Sequence, residues 1–534
     1  MGGGGANSLN SPNSAENSDF DGDNNDTNIT WTEPTYKTYE DYFIDYNITA
    51  ETITENDLTG NGTATNPYIV HSTKGFLWLA KIAIVGKYAK LECDVVLNDE
   101  TFDKNGIPIG GDGVVYNWRP FYALNGWFDG NHHSISGYYI KDETRDSAGF
   151  FTKNVVNEVC NLTITNFYNE GKSRVFGMGI HIEIISNCVV KNGFVKSQNN
   201  YASGFVYNTK KITNSTNYAD ISAIGWHSSA FISSWANYTA TLEKCQNYGH
   251  ITGDTYVAGL VANPSGYIKF VNCQNFGKVE GGYAGGIAAA VTGGVKTIIG
   301  CSNFGDIIPK HGTTCGGILG FAYEKAVIEN CYNESVFGNV LNVGNGGLVG
   351  LISKPSGGYG GGDVYIRNCR VKIYNQHKRF RGIVGHIAEG GILNMKNVYC
   401  EVENMEDDFY AVGNILQNAQ IEIEGLEVDV KNIKILGKKI ALFESINSAV
   451  TLNNALVRGN CGFEFCYRSY AQHYVNSLVV NTNSQTYYGS DFSGFYIDYK
   501  TGEIGLKALS GKGFYQGKVT EEWLESKGFE KKVI

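Results

Sequence analysis

Asp220, His250, Lys278 and Asp306 recur three places after one repeated Asn position, following the Tyr/Phe-Gly position. Carboxylates, an imidazole and an ammonium at one phase are the groups of general acid–base chemistry. Glycoside cleavage needs two such carboxyl groups about 5–9.5 Å apart. Asp220 and Asp306 lie three repeats apart, about 14 Å if each repeat advances by one stacked strand. That is too wide for a catalytic pair, and the mixed ladder reads more simply as a solvated face. His132-His133 with Trp127 and Asp129, and Trp226 with His227, are candidate carbohydrate contacts, with turn chemistry as the plainer alternative.

Aromatic rings offer a second kind of chemistry. Trp226, Trp235, Tyr238, Tyr256, Tyr283, Tyr323 and Tyr359 fall in or beside segments that read as loops. Exposed rings stack on sugar faces and act as rigid anchors for protein partners. The candidate ligand-binding set is therefore Trp226, His227, Trp235, Tyr238, Tyr256, Tyr283 and Tyr359, against the alternative that the rings pack over neighbouring turns. The segment SKPSGGYGGGD (353–363) breaks the repeat, and an insertion in a repeat array maps to a loop on one face. Nucleophile-elbow, HExxH, phosphate-loop and dinucleotide motifs are lacking, and no Cys/His spacing fits a metal, so no cofactor is expected. Asp19, Asp21, Asp23 and Asp26 fail the EF-hand pattern, with Asn24 where Gly is required.

These residues are positioned by a repeat. EKCQNYG (243–249), VNCQNFG (271–277) and IGCSNFG (299–305) alternate with YVAGLVA, YAGGIAA, TCGGILG and NGGLVGL. Cys245, Cys273 and Cys301 are 28 residues apart and Cys331 follows 30 later. With Cys160 and Cys188 they are read at one phase, as a stack of small buried thiols; six disulfides from the 12 cysteines is the alternative. Asn217, Asn247, Asn275, Asn303 and Asn333 share the phase two residues on. They read as a ladder of side-chain amides, or alternatively as a polar binding stripe.

Short apolar runs at close to period two, punctuated by Asn and Gly, predict three strands per turn. The expected fold is all-β: a right-handed parallel β-helix of about a dozen turns of about 28 residues. Residues 1–35 read as a flexible Gly/Asn/Ser/Asp arm, 36–130 as an N-terminal cap with a helix over 76–85, and 131–482 as the coils. Residues 483–534 read as a small α+β cap, with a hairpin turn at 499–503 and a helix beginning after Thr520.

The formal charge of −10 argues against a nucleic-acid partner, and no apolar run is long enough to span a membrane. The first residues lack a basic, then apolar, leader pattern. Either a leader has been removed, or the protein reaches the exterior by another route, such as assembly into a virus particle and release by lysis.

GNGTATNPYIV, LWLAK, KYAKLECDVVLND and FDGNHHSISGYYI, with the later YVAGLVA, CGGILG and NGGLVG phrases, resemble bacterial and phage surface proteins with GLUG-type repeats. The resemblance covers roughly residues 58–480, departing at His132-His133 and after about residue 400. It implies a capped β-helix in an exposed, adhesin-like or fibre-like protein without assigned catalysis. The expected function is a non-enzymatic fibre or adhesin, in a virion or on a cell surface, binding a host or cell-surface glycan or protein. Assembly partners would dock on the arm or the C-terminal cap, and a homotrimer is one assembly such fibres adopt. The alternatives are a purely structural subunit and a tailspike-like polysaccharide depolymerase.

Overall fold

In the computed structural model, residues 33–82, 87–119, 126–151, 156–233, 239–263, 265–310, 314–338, 344–353, 362–374, 380–431 and 439–469 are described, with the strands 474–475, 478–484, 503–507 and 514–518. The chain is 56% strand and 4% helix and forms a parallel β-solenoid of about ten turns. Pairing climbs one turn at a time. Thr241 lies over Lys211, Lys269 over Thr241, Thr297 over Lys269 and Val327 over Thr297, all parallel and in register. The column continues through Tyr365, Asn394, Glu422 and Thr451 to Tyr474. Parallel stacking gives nearly every backbone amide a partner in the next turn, which is why so many strands of three or four residues suffice.

Each turn bends at a left-handed corner. Asn187, Asn214, Lys244, Asn272, Gly300, Asn330, Asn368, Asn397 and Gly425 occupy it, with φ between 48° and 69°. Asn and Gly tolerate this conformation best among the residues, which explains their recurrence just before the cysteine position. The next residue points inward. Cys188, Cys245, Cys273, Cys301, Cys331 and Cys369 stack there, all 2% exposed or less. Cys160 does not join them: it pairs with Ser186, just ahead of the corner, and Leu162, just past it, takes the stack position. Ser215 fills the remaining gap, accepting the Cys188 N–H at 3.1 Å and donating to the Thr213 carbonyl at 2.8 Å. All eleven described cysteines are free thiols. Burial pushes the Cys188 thiol up to about 12 and holds Cys245, Cys301 and Cys315 well above the usual range.

Two residues further, the asparagine side chains form a directed chain. Nδ2 of Asn217, Asn247, Asn275 and Asn303 donates to Oδ1 of the next rung at 2.8, 2.8, 2.7 and 2.8 Å. The same nitrogens also donate to the carbonyl two residues on, from Ala219, Gly249, Gly277 and Gly305. Val190 and Val371 occupy this position in the flanking rungs and end the ladder. Across the core, the glycine phrases meet it. A Cβ on Gly259, Gly286 or Gly317 would stand 2.2–2.3 Å from the Cγ of Asn275, Asn303 or Asn333.

After residue 363 the phrases fade while the stack continues. Asp363–Tyr374, Ile392–Glu403 and Gln420–Lys431 are 12-residue strands in register, with Val371, Cys400 and Val428 at the former Asn position. Gly316 and Gly346 are succeeded by Arg381, whose guanidinium is buried against Glu444 at 2.6 and 2.7 Å.

The N-terminal end is covered by α1 (Asp41–Asp45) and α2 (Thr73–Ile82). Phe76, Leu77 and Leu79 of α2 enter the core, and Phe76 stacks on Trp118 and Phe150. Tyr42 of α1 is buried, its hydroxyl donating to the Leu97 carbonyl at 2.9 Å. Parallel pairing already links Tyr68–Val70, Ala89–Leu91 and Trp127–Asp129 ahead of residue 131. Near the C-terminus, Glu503–Lys507 pairs antiparallel with Phe514–Lys518. Thr35–Lys37, at the end of the arm, pairs with Val114–Tyr116, while residues 1–32, the turn residues 499–502 and the helix after Thr520 lie outside the described residues.

Candidate functional site

The strand 227–229 places His227 over Tyr201 and under Tyr256, with Tyr256 under Tyr283. The sequence-picked residues His227, Tyr256 and Tyr283 are thus brought into one column. His227 is 1% exposed. Its Nδ1 donates to the Ser233 carbonyl at 3.1 Å, and its ring lies 5.0 Å from Tyr201 and 5.4 Å from Tyr256. Burial lowers its pKa to about 4, against the opposing Ser233 bond, so it is neutral at pH 7. It is a packed core histidine and cannot reach a ligand. Tyr256 and Tyr283 stack at 5.2 Å, and Tyr283 continues onto Phe321, which meets Tyr323 edge-on. Their faces are spent on each other.

Trp226 differs. It is 47% exposed, at the corner just before this column, with Ile224 beside it at 55%. The corner is rigid because the strands on both sides are paired into the stack. A side chain on Gly225 would run into the Asn199 carbonyl, so the chain must pass close here. Trp235, Tyr238, Tyr359 and most of the 353–363 insertion lie outside the described residues.

On the neighbouring lateral face the titratable column takes shape around Glu280, which sequence reasoning missed. Lys278 lies 3.0 Å from its carboxylate, His250 3.6 Å and Lys310 3.7 Å. Lys310 also donates to Thr252 Oγ1 at 3.1 Å. Burial alone would raise the Glu280 carboxyl, but the Lys278 hydrogen bond and the surrounding cations hold it below the usual range. Burial, then Lys278, lowers His250. A general acid requires a raised carboxyl, so Glu280 is unsuited to that role at neutral pH. Asp220 and Asp306 each accept a backbone N–H from the following rung, His250 at 2.9 Å and Val336 at 3.4 Å. They cap the stack. Asp129 does likewise, accepting from Asn131 N–H and Asn161 Nδ2, while His133 lies 3.5 Å from Asp94.

Lys296 is the other titratable group that attracts notice. Burial lowers its pKa to about 7, which would suit a nucleophile. Its Nζ, however, donates to the carbonyls of Gly266, Gly293 and Gly294, and it is 0% exposed. It pins two loops together and no substrate reaches it.

A further column also escaped sequence reasoning. Tyr218, Tyr248, Phe276 and Phe304, each one residue after the ladder asparagine, stack at 4.8, 4.7 and 5.1 Å with planes within 10°. Tyr218, Tyr248 and Phe276 are 48, 41 and 36% exposed. The signal was present as the Tyr or Phe in each Asn-aromatic pair. From Glu334 onward the same position turns ionic, as Glu334, Lys372 and Glu401. Among the described residues, no group of three or more His, Cys, Asp or Glu is placed to hold a metal ion, and no helix is long and apolar enough to cross a membrane.

No family model matches the chain, and no curated protein matches it. One solved structure resembles it: a Bacteroides ovatus protein provisionally named an immunoglobulin A1 protease, 16% identical, covering 52% of this chain and 77% of its own, with a TM-score of 0.35. Likeness at that level says nothing about activity.

Proposed function

We propose that the chain is a non-enzymatic recognition rod of the fibre or adhesin type, which presents the Ile224–Trp226 corner to a glycan or protein on a host or cell surface. The observation that carries this reading is Trp226: a large ring, 47% exposed, on a backbone held by pairing on both sides. A rigid exposed aromatic loses little entropy on binding and supplies much of an interface's energy. The resemblance to GLUG-repeat surface proteins supports an exposed setting, in a virion tail or head fibre or on a cell surface.

Binding to a glycan array and to intact cells tests the reading, alongside reducing-sugar release from a panel of polysaccharides. Saturable binding without turnover is expected; sustained sugar release would replace the rod with a depolymerase. The exposed Tyr218–Tyr248–Phe276 stripe favours a second reading, that of a structural subunit whose lateral face is covered in an assembly.

A further inference from the structure

The lateral aromatic stripe has an unusual presentation. Each ring of Tyr218, Tyr248 and Phe276 lies flat on its neighbour, so the ladder shows solvent its edges and not its faces. Sugars dock on aromatic faces, so this stripe is a poor glycan platform. It is a rigid apolar ridge, 36–48% exposed residue by residue, of the kind that a protein surface covers.

The flanking charges identify which protein. In the next outward column stand Asp220, His250 and Lys278, in that order along the rod. We propose that this face docks a second copy of the chain, antiparallel, about a two-fold axis running along the strands through the Tyr248 rung. Such an axis reverses the order of rungs and keeps each column opposite itself. Tyr248 then meets Tyr248 of the second copy, Tyr218 meets Phe276, and Asp220 meets Lys278. In the outer rungs Phe194 takes this column's place opposite Asp306, so no like charges meet there. A two-fold axis along the rod would instead keep each rung opposite itself, so Asp220 and Lys278 would not meet across the interface. A two-fold interface must be complementary to itself, and this column is. Lys278 remains beside Glu280 at 3.0 Å, and Glu280 would face the uncharged Ser222 phase.

The ridge lies on a different part of the turn from the Trp226 corner, so the two readings stand or fall separately. Cysteine cross-linking of the full chain, read on non-reducing gels with sedimentation equilibrium, is the test. The eleven described cysteines are all free and mostly buried, so the wild-type chain serves as a background control. Tyr248→Cys, on the axis, should yield a covalent dimer under mild oxidation. Tyr218→Cys alone should not, whereas Tyr218→Cys combined with Phe276→Cys should. Asp220→Lys or Lys278→Asp alone should weaken self-association about tenfold or more, and the double reversal should restore it. A chain that stays monomeric at its highest soluble concentration would overturn the proposal. So would equal cross-linking by Tyr218→Cys and Tyr248→Cys, or a double reversal no better than the singles.

Discussion

Gly286 lies so close to the Asn303 amide that a Cβ there would stand 2.3 Å from Cγ. The two residues belong to the two phrases that recur through the sequence, the glycine phrase and the Cys-x-Asn phrase. They are the two sides of one lock. The amide must lie flat to donate to Asn333 at 2.8 Å, and only a residue without a side chain leaves it room.

The ladder should therefore carry stability as a unit. Val190 and Val371 show that the core accepts valine at the ladder position in flanking rungs. Asn275→Val would leave Asn247 without its acceptor and Asn303 without its donor, both buried. We expect a loss of roughly 2–4 kcal/mol in urea unfolding. A change under about 1 kcal/mol would mean that the amide chain contributes little.

Lys244 is the exception at the left-handed corner, with φ 53° where other rungs have Asn or Gly. Lys244→Asn should relieve this strain and raise stability by about 0.5–1 kcal/mol. Thermal unfolding measures it, and a lower midpoint would contradict the strain argument.

Ser215 already does what the stacked thiols do, capping the carbonyl ahead of the corner and accepting an N–H from the preceding rung. Cys273 donates to the Val271 carbonyl at 3.4 Å in the same way. Cys273→Ser should consequently stay within about 1 kcal/mol of wild type in urea unfolding. A larger loss would show that sulfur's size, and not its donor, is what the stack requires.

His227 is neutral when folded, with its pKa lowered by burial to about 4 from an unfolded value near 6.5. Its contribution is whole above pH 6.5 and is lost as pH falls through 4, by up to about 3 kcal/mol. His227→Phe keeps the ring between Tyr201 and Tyr256 but forfeits the Ser233 bond, about 1 kcal/mol. The variant should be the weaker at pH 8 and should overtake wild type at about pH 6. Parallel pH curves would show that His227 is solvated in the folded chain. His386, also lowered to about 4, should keep its own acid sensitivity in both proteins.

The solenoid was legible because its repeat is written in residues with narrow conformational tolerance: Asn and Gly at the corners, Gly against the amides, small thiols within. Where Val371, Cys400 and Val428 replace Asn, the same stack continues on 12-residue strands and the text blurs, since alternating β-strands look alike in any fold. Cys160 was misassigned because spacing alone cannot separate neighbouring positions around one corner. The site was less legible. Aromatic residue type gave no sign of which ring is buried: His227 and Trp226 are adjacent in sequence, yet they lie on opposite sides of the wall, at 1% and 47% exposure. The ion-paired Glu280 and the Tyr218–Phe304 ridge depend on side-chain stacking between turns, which becomes visible only once the register is known.

Trp226→Ala offers the most direct test of the recognition rod. Binding to intact cells or arrayed glycans should fall about tenfold or more, with the unfolding midpoint unchanged because the ring lies half in solvent. Undiminished binding by a folded Trp226→Ala chain would contradict the account.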